Sequence, residues 1–174
     1  MISKKSVRNV FYGFWSVVVV LILTFVDQWT KMFAIDRLKD QDAFSIIPGI
    51  LEFRYLENRG MAFGMMSGKI LFFLMICIIY FIFAIYFYIR IPKTKFYYPV
   101  IGIELILSAG AIGNFIDRLW RGYVVDFIYV KCIDFPIFNV ADIYVVTSCF
   151  LMIILIIFKY EDDDFKFLKL KHKE

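Results

Sequence analysis

Between Ile70 and Ile89 the chain reads ILFFLMICIIYFIFAIYFYI, an apolar run without one charged residue. At about 1.5 Å of helical rise per residue, a run of roughly 20 residues crosses the ~30 Å hydrocarbon core of a bilayer. A water-soluble domain has no interior wide enough to cover such a helix on every side. The run therefore predicts a membrane span, and it is not alone. Comparable stretches cover about 11–33, 96–116 and 140–158. Together they account for an apolar content of 61%, against the usual 45–50% of soluble domains. The expected fold is an all-α membrane protein of four transmembrane helices, a single domain over 1–174, with 159–174 as a charged, mobile tail on the cytoplasmic side.

The N-terminal residues carry Lys4, Lys5 and Arg8 and no acid. A basic start before an apolar run can mark a cleaved leader, but no small-x-small site follows, so this run reads as a retained first span. Basic residues also fix an expected orientation. The N-terminal segment and the 90–95 loop hold three Lys or Arg each, and the C-terminal tail adds five. With four spans these three segments share one side, which places both termini in the cytoplasm. The segments 34–69 and 117–139 then lie outside. Within the first of them, Leu51, Phe53 and Tyr55 alternate with Glu52 and Arg54 after Pro48-Gly49, a short-strand pattern.

Net charge is +4, and the basic residues sit at span ends, so a nucleic-acid partner is not expected. Cys77, Cys132 and Cys149 show no metal-ligand spacing, and the one histidine, His172, lies in the tail. No metal or other cofactor is expected.

Four polar clusters fall on the outer side: DQWTK at 27–31, ENRGMAFG at 57–64, GNFIDR at 113–118 with VVDF just beyond, and FNVAD at 138–142. Polar groups at membrane depth are costly and face a cavity or one another. A plainer reading is available for each residue taken singly. Asn139 suits an N-cap, Asp142 the positive end of the helix that follows, and Arg118 can snorkel to the headgroups. Taken together the clusters point to one polar site at the outer face.

Its chemistry is limited by what is present. No serine or cysteine there has an obvious base beside it. Carboxylates remain. Asp126 and Asp142 flank a short connection, so both reach one point if IYVKCIDFPIF folds back. Two close carboxyls in a low-dielectric site cannot both ionise. The ionised one deprotonates water while its protonated partner polarises a peptide carbonyl. On the residues alone, Asp117 stands level with Asp126. Asn58, Asn114 and Asn139 can hold a substrate backbone or a carboxylate. Lys31 and Arg118 can balance charge with Asp27 and Asp117, and Gly60 and Gly113 admit close backbone approach. Two other classes fit four spans with internal carboxylates: a small proton-coupled transporter, favoured by Glu104 inside the third span, and a non-catalytic assembly protein.

The motifs DQWTK, NRGMAFG, GAIGNFIDRLWRGYVVDFI and FNVAD, in this order around four apolar runs, resemble the lipoprotein signal peptidases, the type II signal peptidases of bacteria. The resemblance implies an aspartic endopeptidase with Asp126 and Asp142 as the catalytic pair and Asp27, Lys31, Asn58, Gly60, Asn114, Asp117, Arg118 and Asn139 as substrate-binding or supporting residues. It implies no metal, a site at the outer face of the bacterial cytoplasmic membrane, and a small β-like platform from 41–66. The implied substrates are prolipoproteins whose lipobox cysteine carries diacylglycerol; membrane lipids and the cyclic peptide inhibitor globomycin are the other implied partners. Met61 stands where such proteins usually have a small residue.

Overall fold

A computed structural model describes the backbone of residues 4–60 and 69–169. Met61 and the rest of 61–68 lie outside the described residues, so the expected platform is seen only up to Gly60. Four helices form the body: α1 (Lys4–Leu38), α2 (Ile70–Arg90), α3 (Tyr98–Trp120) and α4 (Val140–Phe158). All four are long and apolar enough to cross a membrane. Their outward faces carry Phe25, Leu71, Ile79, Ile82 and Phe158, each more than 60% exposed. A surface of that kind is stable against lipid and not against water. The chain is a multi-pass membrane protein.

Two helix bounds depart from the expected spans for readable reasons. The third run was expected from about 96, but α3 starts at Tyr98 with a proline in its first turn, where the missing N–H costs nothing. At its far end α3 runs on to Trp120, so Asp117 and Arg118 lie inside the helix rather than in an outer loop. With 35 residues, α1 is about 50 Å long, well over a ~30 Å core; its last turn packs on the sheet, and its first turns run past the start of α3, where Tyr12 meets Tyr98.

That sheet is antiparallel, in the order β1 (Phe44–Ile47), β2 (Leu51–Asn58), β3 (Val124–Val130). Gly49, at φ +76°, makes the β1–β2 turn, a conformation that side chains disfavour. The strand pattern read in Leu51–Tyr55 is present; β3 was not foreseen. Along β3 successive side chains alternate. Val125 and Phe127 pack against Ala34 and Leu38 of α1, which turns Val124 and Asp126 to the opposite face.

Helix α3 is the hub and packs on α4, α1 and α2. Small residues permit this. A methyl group at Gly110 would stand 2.6 Å from the Ala141 carbonyl oxygen, and one at Gly113 would overlap the Asp27 carboxylate. Close approach of this kind is the common basis of helix association in membranes.

The other end closes differently. Phe87, Ile91, Val100 and Tyr160 form a core joined by Phe165, Phe167 and Leu168 of a 3₁₀ segment, Asp162–Leu168. Arg90 Nε donates to the Phe167 carbonyl at 2.7 Å, and Tyr97 Oη to the Asp164 carbonyl at 2.8 Å. The expectation of a mobile tail fails over these residues. Its charges alternate with aromatic side chains, and the aromatics dock.

Candidate active site

Three elements converge at the sheet end of the bundle. Asp126 comes from β3, Asp142 from the first turn of α4, and Asn114 from the last third of α3. Both carboxyl groups line one cleft of about 610 Å³, with Asn58, Gly60, Asn114 and Arg118. Phe73, Val124, Ile143 and Val146 supply its apolar wall, and the loop Phe135–Phe138 borders it. The loop 131–137 does fold back, because β3 pairs with β2 and Phe138 bridges to Ile128.

Neutral amides hold the pair. Asn58 Nδ2 donates to one oxygen of Asp126 at 2.8 Å, and Asn139 Nδ2 to the other at 2.7 Å. The backbone N–H of Gly60 fixes Asn58 by donating to its side-chain oxygen at 2.9 Å. Asn114 Nδ2 donates to Asp142 at 2.8 Å. Asn139 caps α4: its side chain accepts from the Asp142 N–H at 3.0 Å, and its own N–H donates to the Asp142 carboxylate at 3.1 Å. The plainer reading of Asn139 and Asp142 as a helix start is therefore true of the geometry. The same amide that caps the helix also ties it to Asp126, so the cap and the cleft are one structure.

Burial pushes the Asp126 carboxyl up from its ordinary range to about 7, and the neighbouring Asp142 charge pushes the same way. The hydrogen bonds from Asn58 and Asn139 oppose this without cancelling it. Arg118 lies over the Phe73 ring, 4.9 Å from its centroid, and donates to the Asn114 carbonyl at 3.2 Å. It is the one cation lining the cleft among the described residues. Two carboxyls face one guanidinium, so a proton held by the pair neutralises the set.

Behind the cleft lies a second polar layer, fully buried. Lys31 Nζ sits 2.9 Å from Asp27 and 3.0 Å from Asp117, with no exposed side-chain surface on any of the three. Asp27 also accepts from the Ala141 N–H at 2.9 Å, and Asp117 from the Val125 N–H at 3.1 Å. These two bonds pin the starts of α4 and β3, one residue before Asp142 and one before Asp126. Lys31 further donates to Asn114 Oδ1 at 3.0 Å, which links the layers through the amide that holds Asp142. The structure thus brings Asp126, Asp142, Asn58, Gly60, Asn114, Arg118 and Asn139 to the cleft or its edge. It sets Asp27, Lys31 and Asp117 one layer back.

Two members of the rear layer escaped the sequence reading. Gln28 Nε2 donates to Asp27 at 3.1 Å, to the Gly113 carbonyl at 3.1 Å and to Asp117 at 3.2 Å. Arg121 pairs with Asp117 and donates to Gln28 Oε1 at 3.3 Å. An uncharged amide deep in an apolar helix was the available signal for Gln28, and the i, i+4 spacing from Asp117 was the signal for Arg121. Glu104, by contrast, accepts from Ser108 at 2.7 Å on its own helix, and Ser108 meets Tyr80 of α2 at 2.9 Å. This small bonded group does not extend the polar layer through the bundle, as a transport path would require.

Comparison with known proteins gives a consistent answer. The family model for signal peptidase (SPase) II matches residues 19–158. The lipoprotein signal peptidase of Caldanaerobacter subterraneus subsp. tengcongensis is 41% identical over 145 residues, which cover 83% of this chain and 97% of that protein. That of Clostridium tetani is 42% identical over 151 residues, covering 84% and 96%. A bacterial membrane enzyme solved by the in meso method at 2.3 Å resolution superposes with a TM-score of 0.72, at 35% identity, over 91% of this chain and 94% of that one.

Proposed function

This chain belongs to the signal peptidase II family of membrane proteases, and from that premise we propose that it cleaves diacylglyceryl-modified prolipoproteins just before the lipidated lipobox cysteine, with Asp126 and Asp142 activating the attacking water. The observation that carries this reading is the pair itself: two carboxyls on one cleft, joined through Asn139, with Asp126 raised to about 7. A carboxyl raised this far keeps its proton to near neutral pH, as the chemistry demands.

The reaction follows from that state. The ionised carboxylate takes a proton from water as its oxygen attacks the scissile carbonyl carbon. The protonated partner donates to the carbonyl oxygen. A proton then passes to the amide nitrogen, the C–N bond breaks, and the signal peptide leaves with a new carboxylate while the cysteine keeps a free amine. Asn58, Asn114 and Asn139 hold the carboxyls in place, Gly60 leaves room for a substrate backbone, and Arg118 balances charge. Asp27, Lys31 and Asp117 position the elements that carry the pair. The apolar wall of Phe73, Ile143 and Val146 suits a substrate whose lipid stays in the bilayer.

The basic segments support a topology with both termini in the cytoplasm and the cleft at the outer face of a bacterial cytoplasmic membrane. Globomycin, the cyclic peptide inhibitor implied by the family resemblance, is expected to occupy the cleft in competition with substrate.

The test uses purified protein and a lipobox peptide with and without diacylglycerol on its cysteine, analysed by mass spectrometry. Cleavage before the lipidated cysteine, blocked by globomycin and absent with the unmodified peptide, is the expected result. Equal cleavage of both peptides would overturn the lipid requirement, and cleavage of neither would overturn the protease reading.

A further inference from the structure

A second cavity lies in the opposite half of the bundle. Helices α1 and α2 scarcely touch, because α3 sits between them as a floor. The resulting groove has a volume of about 690 Å³ and is lined by Val17, Val20, Leu21, Ala84, Ile85 and Leu105, among others. That volume is in the usual range of ligand sites, roughly 300–1,000 Å³. Its few polar groups are already bonded to one another: Ser16 with Tyr88 at 2.7 Å, and Ser108 with Glu104 at 2.7 Å. It therefore offers an apolar lining to its occupant.

The groove continues past Ser16, Tyr88 and Leu105 to a polar mouth at the end away from the sheet, where Asn9, Arg90, Lys93 and Thr94 gather. Lys93 is the unusual member. Its ammonium lies over the Tyr88 ring, 3.8 Å from the centroid, and donates to the carbonyls of Tyr88 and Ile91. An ammonium has three donors, and two carbonyls leave one unused. Arg90 likewise spends its donors on the carbonyls of Phe167 and Lys169. Among the described residues no carboxylate forms an ion pair with either cation. Burial lowers Lys93 to about 8, and the Glu104 carboxyl deeper in the groove opposes this only in part, as expected of a cation with no carboxylate in contact.

We propose that this groove is a binding site for one acidic diacyl phospholipid of the leaflet opposite the catalytic cleft, with an acyl chain along α1 and α2 and the phosphate at Lys93. A zwitterionic head would bring its own cation against Lys93 and Arg90, whereas an acidic head supplies the missing charge. Acidic lipids are the characteristic anions of the cytoplasmic leaflet. The signal helix of a substrate is a poorer occupant, because its basic start would meet the same two cations. The groove also shares no lining residue with the cleft. The inference does not depend on the protease reading.

Native mass spectrometry of the detergent-purified chain, titrated with dioleoyl phosphatidylglycerol or dioleoyl phosphatidylcholine, tests it. One phosphatidylglycerol should be retained about tenfold more tightly than phosphatidylcholine, given two unpaired cations at the mouth. Lys93→Gln, which leaves Arg90 alone at the mouth, should cut that preference to about threefold. Val17→Trp, at a lining position 59% exposed and so free of packing, should weaken both lipids. Unchanged unfolding midpoints for both variants serve as the check on folding. Equal retention of the two lipids by the unaltered chain, or full retention of phosphatidylglycerol by Lys93→Gln or Val17→Trp, would overturn the proposal. So would displacement of the lipid by glycerophosphate alone or by a lipobox signal peptide.

Discussion

The two polar layers at the sheet end contain the same kinds of residue and are built to opposite purposes. In the rear layer Asp27 and Asp117 face Lys31 and Arg121, so two acids meet two cations and every charge is answered. In the cleft layer Asp126 and Asp142 are held by Asn58, Asn114 and Asn139, which bring hydrogen bonds and no charge. Cationic partners favour the ionised form of a carboxylate. Amide partners fix its position and leave its proton affinity to burial and to the neighbouring acid. Under the proposed function, the partner type, rather than the carboxylate, separates a fastening from a reactive group.

That comparison breaks most visibly at the dyad. Asp126→Asn or Asp142→Asn keeps size and hydrogen bonding but removes a proton acceptor. General acid–base catalysis contributes about 10²–10⁴-fold, and with the water left unactivated each variant should lose about 10³-fold or more in cleavage of a lipidated lipobox peptide. The protein should still fold. Turnover near that of the unaltered chain in either variant would remove that residue from the mechanism.

In the rear layer the same logic predicts loss of stability. Lys31→Met leaves Asp27 and Asp117 buried with Arg121 as their one cation. Stranding charge in this way costs about 3–5 kcal/mol, read as a lowered unfolding midpoint in detergent. Adding Asp27→Asn should recover part of it. If Lys31→Met unfolds like the unaltered chain but fails to cleave, the lysine belongs to the chemistry and the division between layers is wrong.

Much of this arrangement was legible before any coordinates. The four spans follow from run length and apolar content, most plainly for 70–89, where 20 uncharged residues have few other fates. The clustering of polar motifs at one end follows from span parity. What stayed hidden, the strand beneath Asp126 and the role of Gln28, depends on distant partners. Asp126 lies on a strand, and VVDFIYV carries no polar alternation to announce one, because β3 is buried on both faces. Gln28 is a single amide whose three partners lie on two helices, a fact that no local spacing encodes. The tail misled for the opposite reason. Its charges suggested solvent, while Phe165 and Phe167, two apart in a 3₁₀ segment, found a pocket made by α2 and α3.

A subtler contrast concerns pH. Because Asp126 is raised above its ordinary range, the folded chain binds a proton there that the unfolded chain has lost. Between about pH 4 and 7 the folded state therefore holds more protons, and this group's contribution to stability falls as pH rises through that window. Asp126→Asn removes the penalty. The variant should match the unaltered chain near pH 4 and exceed it near pH 8, by on the order of 1–2 kcal/mol after solvent relaxation. An advantage present at acid pH and absent at pH 8 would mean that Asp126 is ionised without strain.

The smallest expected effect is also the most specific. Asn58 donates to the ionised form of Asp126, so its hydrogen bond holds that carboxyl lower than burial alone would. In Asn58→Ala the donor is gone and the Asp126 pKa should rise further. If the pair must keep one proton to work, activity falls on the alkaline side when that proton leaves. That limb should move upward by about half a unit to one unit, the equivalent of one hydrogen bond with a net strength of about 1 kcal/mol. Asn58→Asp would put a third acid beside the pair and should raise the limb more than alanine does. A limb that stays in place in both variants, with only the maximal rate lowered, would mean that Asn58 orients substrate and leaves the proton untouched, and the neutral-amide account of the cleft layer would fail at its first member.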